Sequence, residues 1–426
     1  MAYSCGPDAR QVADFLGFAC DDADPVAAVR SPLGLEHWTM PLLEVLIIAG
    51  AIFALVHAWR RWRRDGDPIN LGLWFASLIY LAVIEPPLYF PEWFGLQDYV
   101  GFIFSHNVFT VQFMFDRLPL YIVAFYAVIS QITYELVRAL GIFERRGAAI
   151  GAIATAFASQ VFYEIFDQLG PQLKWWAWNP ENMINQPMFA SVPMNSMWVF
   201  ASVSFGVMVW LVVKLLGGKR RSAAPPRDAT PLGDAAHLGG GSIAWRTVLA
   251  GVLTPVLMVI LAAPTRVGVD AEGAGTLQLV ILWTFLGILW LVGLWLLADG
   301  TRRTWRGSAE PFASPAFVRV YPAVYVVVHA LFWIAALPAF LGATDGVTAD
   351  GTPIGNGWYA LACFAAATWF VIAATLATRT RSRAQGQSPG QSPGRAPGGT
   401  VAAPTGSGGS PTSTEGPQTR QADVTP

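Results

Sequence analysis

Nine stretches of this chain are apolar over roughly the length of a bilayer crossing, and each is bounded by polar or turn-forming residues. They are Trp38–Trp59, Leu71–Phe90, Leu118–Phe143, Ala148–Leu169, Ser191–Leu216, Thr247–Ala263, Leu277–Ala298, Phe317–Leu341 and Trp358–Ala377. A helix needs about 20 mostly apolar residues to cross the hydrocarbon. Inside lipid the backbone has no hydrogen-bond partner except its own helix. The pattern therefore predicts an all-α fold, a polytopic transmembrane helical bundle of nine spans.

Basic residues orient the bundle. Arg60, Arg61, Arg63 and Arg64 follow the first span, Arg145 and Arg146 the third, and Lys219, Arg220 and Arg221 the fifth. Arg302, Arg303 and Arg306 follow the seventh, and Arg379, Arg381 and Arg383 the ninth. The opposite loops carry acids, among them Asp21, Asp22, Asp24, Glu92, Asp98, Glu181, Asp270, Glu272, Asp345 and Asp350. By the positive-inside rule the N-terminus lies outside and the C-terminus in the cytoplasm, as expected of a multi-pass protein of the cell membrane.

Composition agrees. The chain is 54% hydrophobic and 13% charged, against about 25% charged in soluble domains, and its mean hydropathy is +0.44. The net charge of −1 is sorted by membrane side and says nothing about partners; no nucleic-acid partner is expected. The 18 Trp suit interfacial anchoring.

Five regions follow. Residues 1–37 form an exoplasmic N-terminal segment, acidic and without the apolar core of a signal peptide, so an uncleaved, translocated N-terminus is expected. Residues 38–216 make a five-span half, 217–244 a polar cytoplasmic linker, and 245–381 a four-span half. Residues 382–426, rich in Gly, Pro, Ser, Thr and Gln, read as a disordered cytoplasmic tail. Cys5 and Cys20 lie on the side where a disulfide can form, but their spacing leaves pairing open. Cys363, in a span, reads as a small buried residue.

Within this apolar pattern the acids stand out. Glu44, Glu85, Glu164 and Asp167 lie in spans near the outer face, and an ionisable group in a bilayer points to function because it is costly to keep there. One at a time, such acids can simply sit hydrated among headgroups. Four on one side predict a shared polar pocket. Glu164 and Asp167 are spaced i, i+3 on one helix face. Glu85 is followed by Pro86 and Pro87, which predicts a broken helix with freed carbonyls. Glu135 precedes Arg138 by three residues, the spacing of an intrahelical ion pair. His57 reads as interfacial, and His329 as a hydrogen-bonded core histidine.

Two long outer loops, Glu85–Pro119 and Glu164–Asn195, share a plan. Each opens on a carboxylate, runs through aromatics with an Asn or His-Asn, and reaches a Leu-Pro or Val-Pro that starts the next span. They read as a diverged duplication of a two-helix unit, with Glu85 and Glu164 as counterparts. Together they supply His106, Asn107, Arg117, Trp176, Trp178, Asn195 and Trp198 as candidate binding residues. Glu85, Glu164 and Asp167 are candidate catalytic residues, with Glu44 as a further binding residue.

A carboxylic acid in apolar surroundings holds its proton and can pass it to an alkene, while a partner carboxylate positions water. Aromatic faces stabilise a nearby cation. The set suits proton-initiated hydration or cyclisation of an isoprenoid, or binding of a lipid or carotenoid. No cofactor is implied. A metal is not expected either: His37 and His106 are available, but no i, i+4 His pair or HExxH accompanies them.

Asp167, Trp176-Ala177-Trp178, Val192-Pro193-Met194-Asn195 and then Trp198 resemble the D…WxW…VPxxN…W pattern of membrane carotenoid-biosynthesis proteins of the bacterioruberin hydratase (carotenoid 1,2-hydratase) type. Glu85 with Leu118-Pro119 is similar to that family's earlier glutamate-plus-proline element. The resemblance runs from Glu85 to Trp198. It implies a polytopic enzyme that adds water to the terminal double bond of a long carotenoid, with Glu85, Asp167, Trp178, Pro193 and Asn195 at matching positions. The chain departs from the family in its Gly-rich, Tyr-bearing loop, reduced here to Gly95 and Tyr99. It departs again after Asp167, where Gln168-Leu169-Gly170 stands in place of an immediate proline. Two other readings stay open: a proton- or cation-coupled transporter and a non-catalytic membrane scaffold.

Overall fold

Each of the nine apolar runs is a helix in the computed structural model, which describes residues 5–21, 23–217, 238–270, 273–306 and 315–386. The helices are α1 (Pro7–Leu16), α2 (Thr39–Asp65), α3 (Ile69–Tyr89), α4 (Gln97–Val100), α5 (Leu120–Ala139) and α6 (Ile142–Asp167). Then follow α7 (Phe205–Leu216), α8 (Gly240–Ala262), α9 (Thr276–Trp305), α10 (Ala316–Leu341) and α11 (Gly357–Gly386). A π-helical stretch, Ser196–Ser204, leads into α7 and completes the fifth span. Short strands β1 (Ala27–Val29), β2 (Phe104–His106), β3 (Val111–Phe113), β4 (Leu118–Pro119), β5 (Trp176–Trp178), β6 (Met188–Phe189), β7 (Val192–Pro193), β8 (Val269–Asp270) and β9 (Gly273–Ala274) lie in the connections. The protein is an all-α polytopic membrane protein.

Burial ranks the spans. In the most apolar window of α5, 89% of residues are buried, against 28% in α9 and α10. Helix α5 is thus the axis of the bundle, and the outer helices present Val, Leu, Ile and Trp outward, as lipid-facing surfaces must. Met1–Gly386 is one compact unit. The linker between residues 218 and 237, with Lys219, Arg220 and Arg221, lies outside the described residues, as does the expected tail from Gln387 on, while α11 runs through that tail's first residues, 382–386. Helix α8 begins at Gly240, inside the range expected to be linker.

The three outer segments meet at one end. β1 pairs with β3, which joins the N-terminal segment to the first loop, and β2 pairs with β5, which joins the two loops. Cys5 and Cys20 are joined in a disulfide that closes the segment carrying α1. At the opposite end Arg61, Arg138 and Arg146 make ion pairs.

Two helix boundaries correct the expectation from sequence. Pro86 and Pro87 do not break α3, which continues to Tyr89, with the Phe90 N–H donating to the Pro86 carbonyl at 2.9 Å. They sit in the final turn, where the missing donors cost only the hydrogen bonds to Ala82 and Val83. Helix α6 is interrupted at Gly147, whose φ of 80° falls in the left-handed region open to glycine, so the span proper begins after it.

Candidate outer-face active site

A partly open cavity of ≈ 90 Å³ lies at the outer end of the bundle, bounded by spans and loops together. Helix α3 contributes Glu85 and Leu88, α5 contributes Ile122, Phe125 and Tyr126, and α6 contributes Tyr163, Phe166 and Asp167. These spacings of three and four residues put each set on one helix face. The roof comes from the loops: Ile103, Phe104, His106, Trp176, Trp178, Ile184 and Asn185. Pro193, Asn195, Ser196 and Phe200 close the side next to the π-helical stretch, a distortion frequent at functional sites.

The roof is built by strand alternation. In the β2–β5 ladder, Phe104 lies opposite Trp178 and His106 opposite Trp176. All four side chains line the cavity, while Ser105 and Ala177 point away from it. The Trp178 ring packs on Phe104 at 5.1 Å, and Trp176 packs on Phe166 at 4.6 Å. His106 Nδ1 is 3.2 Å from the Tyr121 hydroxyl. Burial pushes the imidazole down to about 3, so His106 is neutral at ordinary pH.

The two carboxyls on the wall are only partly satisfied. The Tyr126 hydroxyl donates to Glu85 Oε1 at 2.8 Å, and Glu85 Oε2 has no partner. Asp167 Oδ2 also lacks one, as do Trp176 Nε1, Trp178 Nε1 and Asn195 Oδ1. Asn195 spends its Nδ2 on the carbonyls of Ile184 and Gln186, both at 2.9 Å. Five unpaired buried polar atoms around one small space are unusual, because nearly all such groups in folded proteins have a partner. The space is roomy enough to hold ordered water.

The expected pocket of four acids is a pocket of two. Glu44 faces away: its oxygens take the Thr110 N–H at 3.0 Å and the Thr110 hydroxyl at 2.5 Å, anchoring the first loop to α2. Glu164 is buried but lies about 60° around α6 from Asp167, on the side away from Phe166. Gln168 Nε2 donates to it at 2.9 Å, and Gln168 Oε1 takes the Asn356 N–H next to α11 at 2.8 Å. The counterpart of Glu85 on the cavity wall is therefore Asp167, not Glu164.

Three candidate binding residues are also elsewhere. Asn107 clasps the loops, donating to the carbonyls of Leu16 at 3.0 Å and Lys174 at 2.8 Å. Arg117 lies behind the ribbon, its Nη1 3.4 Å from Ser105 Oγ and its guanidinium over Phe102. Trp198 packs outward on Phe285 of α9 at 5.1 Å. His106, Trp176, Trp178 and Asn195 do line the cavity. Sequence reasoning missed Tyr126, Phe104, Phe166 and Ser196. Tyr126 had a signal, since a phenol inside an apolar span needs a hydrogen-bond partner.

A second polar cluster sits at the inner end. Glu135 Oε1 is 3.5 Å from Arg138, the expected intrahelical pair, and accepts from Asn70 Nδ2 at 2.7 Å. It is also 3.1 Å from His57 Nε2. His57 is buried and stacked on Phe317, not interfacial, because α2 continues to Asp65 and keeps it inside the bundle. His329 is a core histidine, its Nδ1 2.9 Å from the Tyr325 carbonyl. Among the described residues, Cys5, Cys20 and Asp21 are close enough to hold a metal, but both sulfurs belong to the disulfide. No family model, curated protein or solved structure matches this chain.

Proposed function

We propose that this is an enzyme of the cell membrane that acts on the end of a hydrophobic isoprenoid chain, with a carotenoid as the substrate class, by acid-initiated hydration or cyclisation at the outer face. One observation carries the reading: Glu85 of α3 and Asp167 of α6 line one aromatic cavity, each with an unpaired oxygen. Tyr126 donates to Glu85, which suits the base, and Asp167 suits the acid.

In hydration, the Asp167 carboxylic acid gives its proton to the inner CH carbon of the terminal double bond, and positive charge develops on the dimethyl-substituted end carbon. Phe125, Tyr163, Trp176 and Trp178 face that charge. Water adds to the cation, and its extra proton passes to Glu85. The sum is H and OH across one C=C bond, with no electron transfer. In cyclisation a second double bond replaces water, and the proton is lost to the same carboxylate. His106, being neutral, adds no competing positive charge. At ≈ 90 Å³ the cavity is far smaller than the ~300–1,000 Å³ of pockets that enclose a whole ligand. It suits a chain end, with the remainder of the chain in lipid.

The test is purified protein in liposomes with an acyclic carotenoid, and oxygen-labelled water as tracer. A product heavier by one labelled water, or a cyclised isomer, is expected, and Glu85→Gln and Asp167→Asn should each abolish it. Unchanged turnover in both variants, or no product with no saturable pigment binding, would sink the proposal.

One observation favours a second reading, proton- or cation-coupled transport. The inner cluster of His57, Glu135, Arg138 and Asn70 shares α3 with Glu85 and α5 with its donor Tyr126. Flux across proteoliposomes that Glu85→Gln and Glu135→Gln both abolish would reverse the ranking.

A further inference from the structure

The β2–β5 ribbon has two faces, and the acid cavity accounts for one. Trp176 and Trp178 line the cavity, and Ala177 between them points outward, where it packs on Val12 and Leu16 of α1. On that side, between α1 and the second outer loop, lies a separate cleft of ≈ 370 Å³. Its chemistry differs from the cavity's. Asp8 and Gln11 of α1 and Asn179, Glu181 and Ser191 of the loop give it a polar wall. Trp178 lines both spaces.

We propose that the outer cleft is the aqueous approach to the acid cavity, and that the Trp178 indole is the partition between them. Three features support this. First, the two spaces share Trp178 as a common wall, and it is less buried than its strand neighbour Trp176. Second, buried polar atoms without partners occur on both sides of it: Ser191 Oγ on the cleft, and Asp167 Oδ2 and Asn195 Oδ1 on the cavity. Such atoms are met by water wherever there is room and access. Third, the cavity's partly exposed lining on the spans is Leu88, Tyr163 and Phe200, an apolar margin suited to a membrane-borne chain rather than to water. The rim of the cleft is held in place, since α1 is tied down by the Cys5–Cys20 disulfide and by Arg10 donating to Asp21 at 3.1 Å. Chain and water would then reach the same carboxyls from different phases. The use made of the water rests on the proposed hydration; the path itself does not.

The experiment uses the full chain in right-side-out membrane vesicles, with Ser196→Cys placing a thiol on the cavity wall and Cys363→Ser removing the one free cysteine among the described residues. Silver ion, small, charged and thiol-reactive, is added outside, and the remaining free thiol is counted with a fluorescent maleimide after denaturation. Trp178→Ala should speed modification roughly tenfold or more, equivalent to about 1.4 kcal/mol of barrier. Trp178→Phe should speed it less, and Gln11→Trp, an exposed change on α1 that narrows the cleft, should slow it. Gln11→Trp leaves the bundle untouched, so it decides the matter even if Trp178→Ala fails to fold. A rate indifferent to Gln11→Trp, or a thiol that silver never reaches in any variant, overturns the inference. The expected rates without turnover of any isoprenoid would leave the water path standing and remove the proposed reaction.

Discussion

The Tyr126 hydroxyl donates to Glu85 Oε1 at 2.8 Å, joining the central helix α5 to the one carboxylate of α3 on the cavity wall. Both groups are buried. Tyr126→Phe keeps the ring and removes the donor to Glu85 Oε1. A buried group stripped of its partner costs about 1–3 kcal/mol. A lower melting temperature is expected, together with turnover reduced more than pigment binding. Equal loss of binding and turnover would instead mark Tyr126 as packing only.

Gly170 is where the second loop leaves α6, and a Cβ there would come within 2.0 Å of the Trp176 ring. Trp176 is buried against Phe166 and cannot swing clear. Gly170→Ala should cost about 1–3 kcal/mol, as overpacking does, and should displace one wall of the cavity. Gly6→Ala, where a Cβ meets nothing within 4 Å, is the control. Tryptophan fluorescence and thermal melting in detergent would separate the two.

Glu44 and Glu85 are both buried acids at the outer end, yet they should behave differently. Glu44→Ala frees the Thr110 N–H and hydroxyl and should loosen the first loop, at a cost of about 1–3 kcal/mol. Turnover per folded molecule should survive. Glu85→Gln should do the reverse, with stability retained and turnover lost. Parallel assays of melting temperature and product formation check this contrast.

His106 gives a pH dependence of definite sign. Folded, the imidazole stays neutral down to about 3 because burial disfavours its charged form. Unfolded, it protonates near its ordinary ~6.5. Between those values the unfolded chain binds more protons, so stability rises with pH across the window, by at most ~1.4 kcal/mol per unit from this residue. His106→Gln should flatten the melting-temperature profile between about pH 4 and 6.5 relative to the parent. An equal slope in both proteins would contradict the burial argument.

At the inner end, Glu135 holds His57, Asn70 and Arg138 together. Glu135→Ala removes an acceptor shared by His57, Asn70 and Arg138, while Arg138 keeps Asp67 and Asn70 keeps Gln131, and losing one partner in such a buried network costs about 1–3 kcal/mol. Partial loss of folded protein is expected, with the folded remainder keeping outer-face activity. Full stability in Glu135→Ala would mean that water replaces the carboxylate there.

Length and hydrophobicity along the chain were enough to determine the nine spans, because a bilayer imposes one length and one backbone solution on every crossing. The same reading placed both outer loops at one end and picked out Glu85, Asp167, Trp176, Trp178 and Asn195, since acids, indoles and amides are conspicuous in an apolar chain. Helix rotation was beyond it. An acid that faces the cavity and one that faces α11 look alike in sequence, and only packing of α6 against its neighbours separates Asp167 from Glu164. Strand pairing between loops some 70 residues apart was equally hidden, because three-residue strands carry no periodic signal of their own. Tertiary structure decided that Glu85 and Asp167 line one cavity, that Tyr126 donates to Glu85, and that Trp178 lines both this cavity and the outer cleft. These are outcomes of rotation and register, which the composition of a span leaves free.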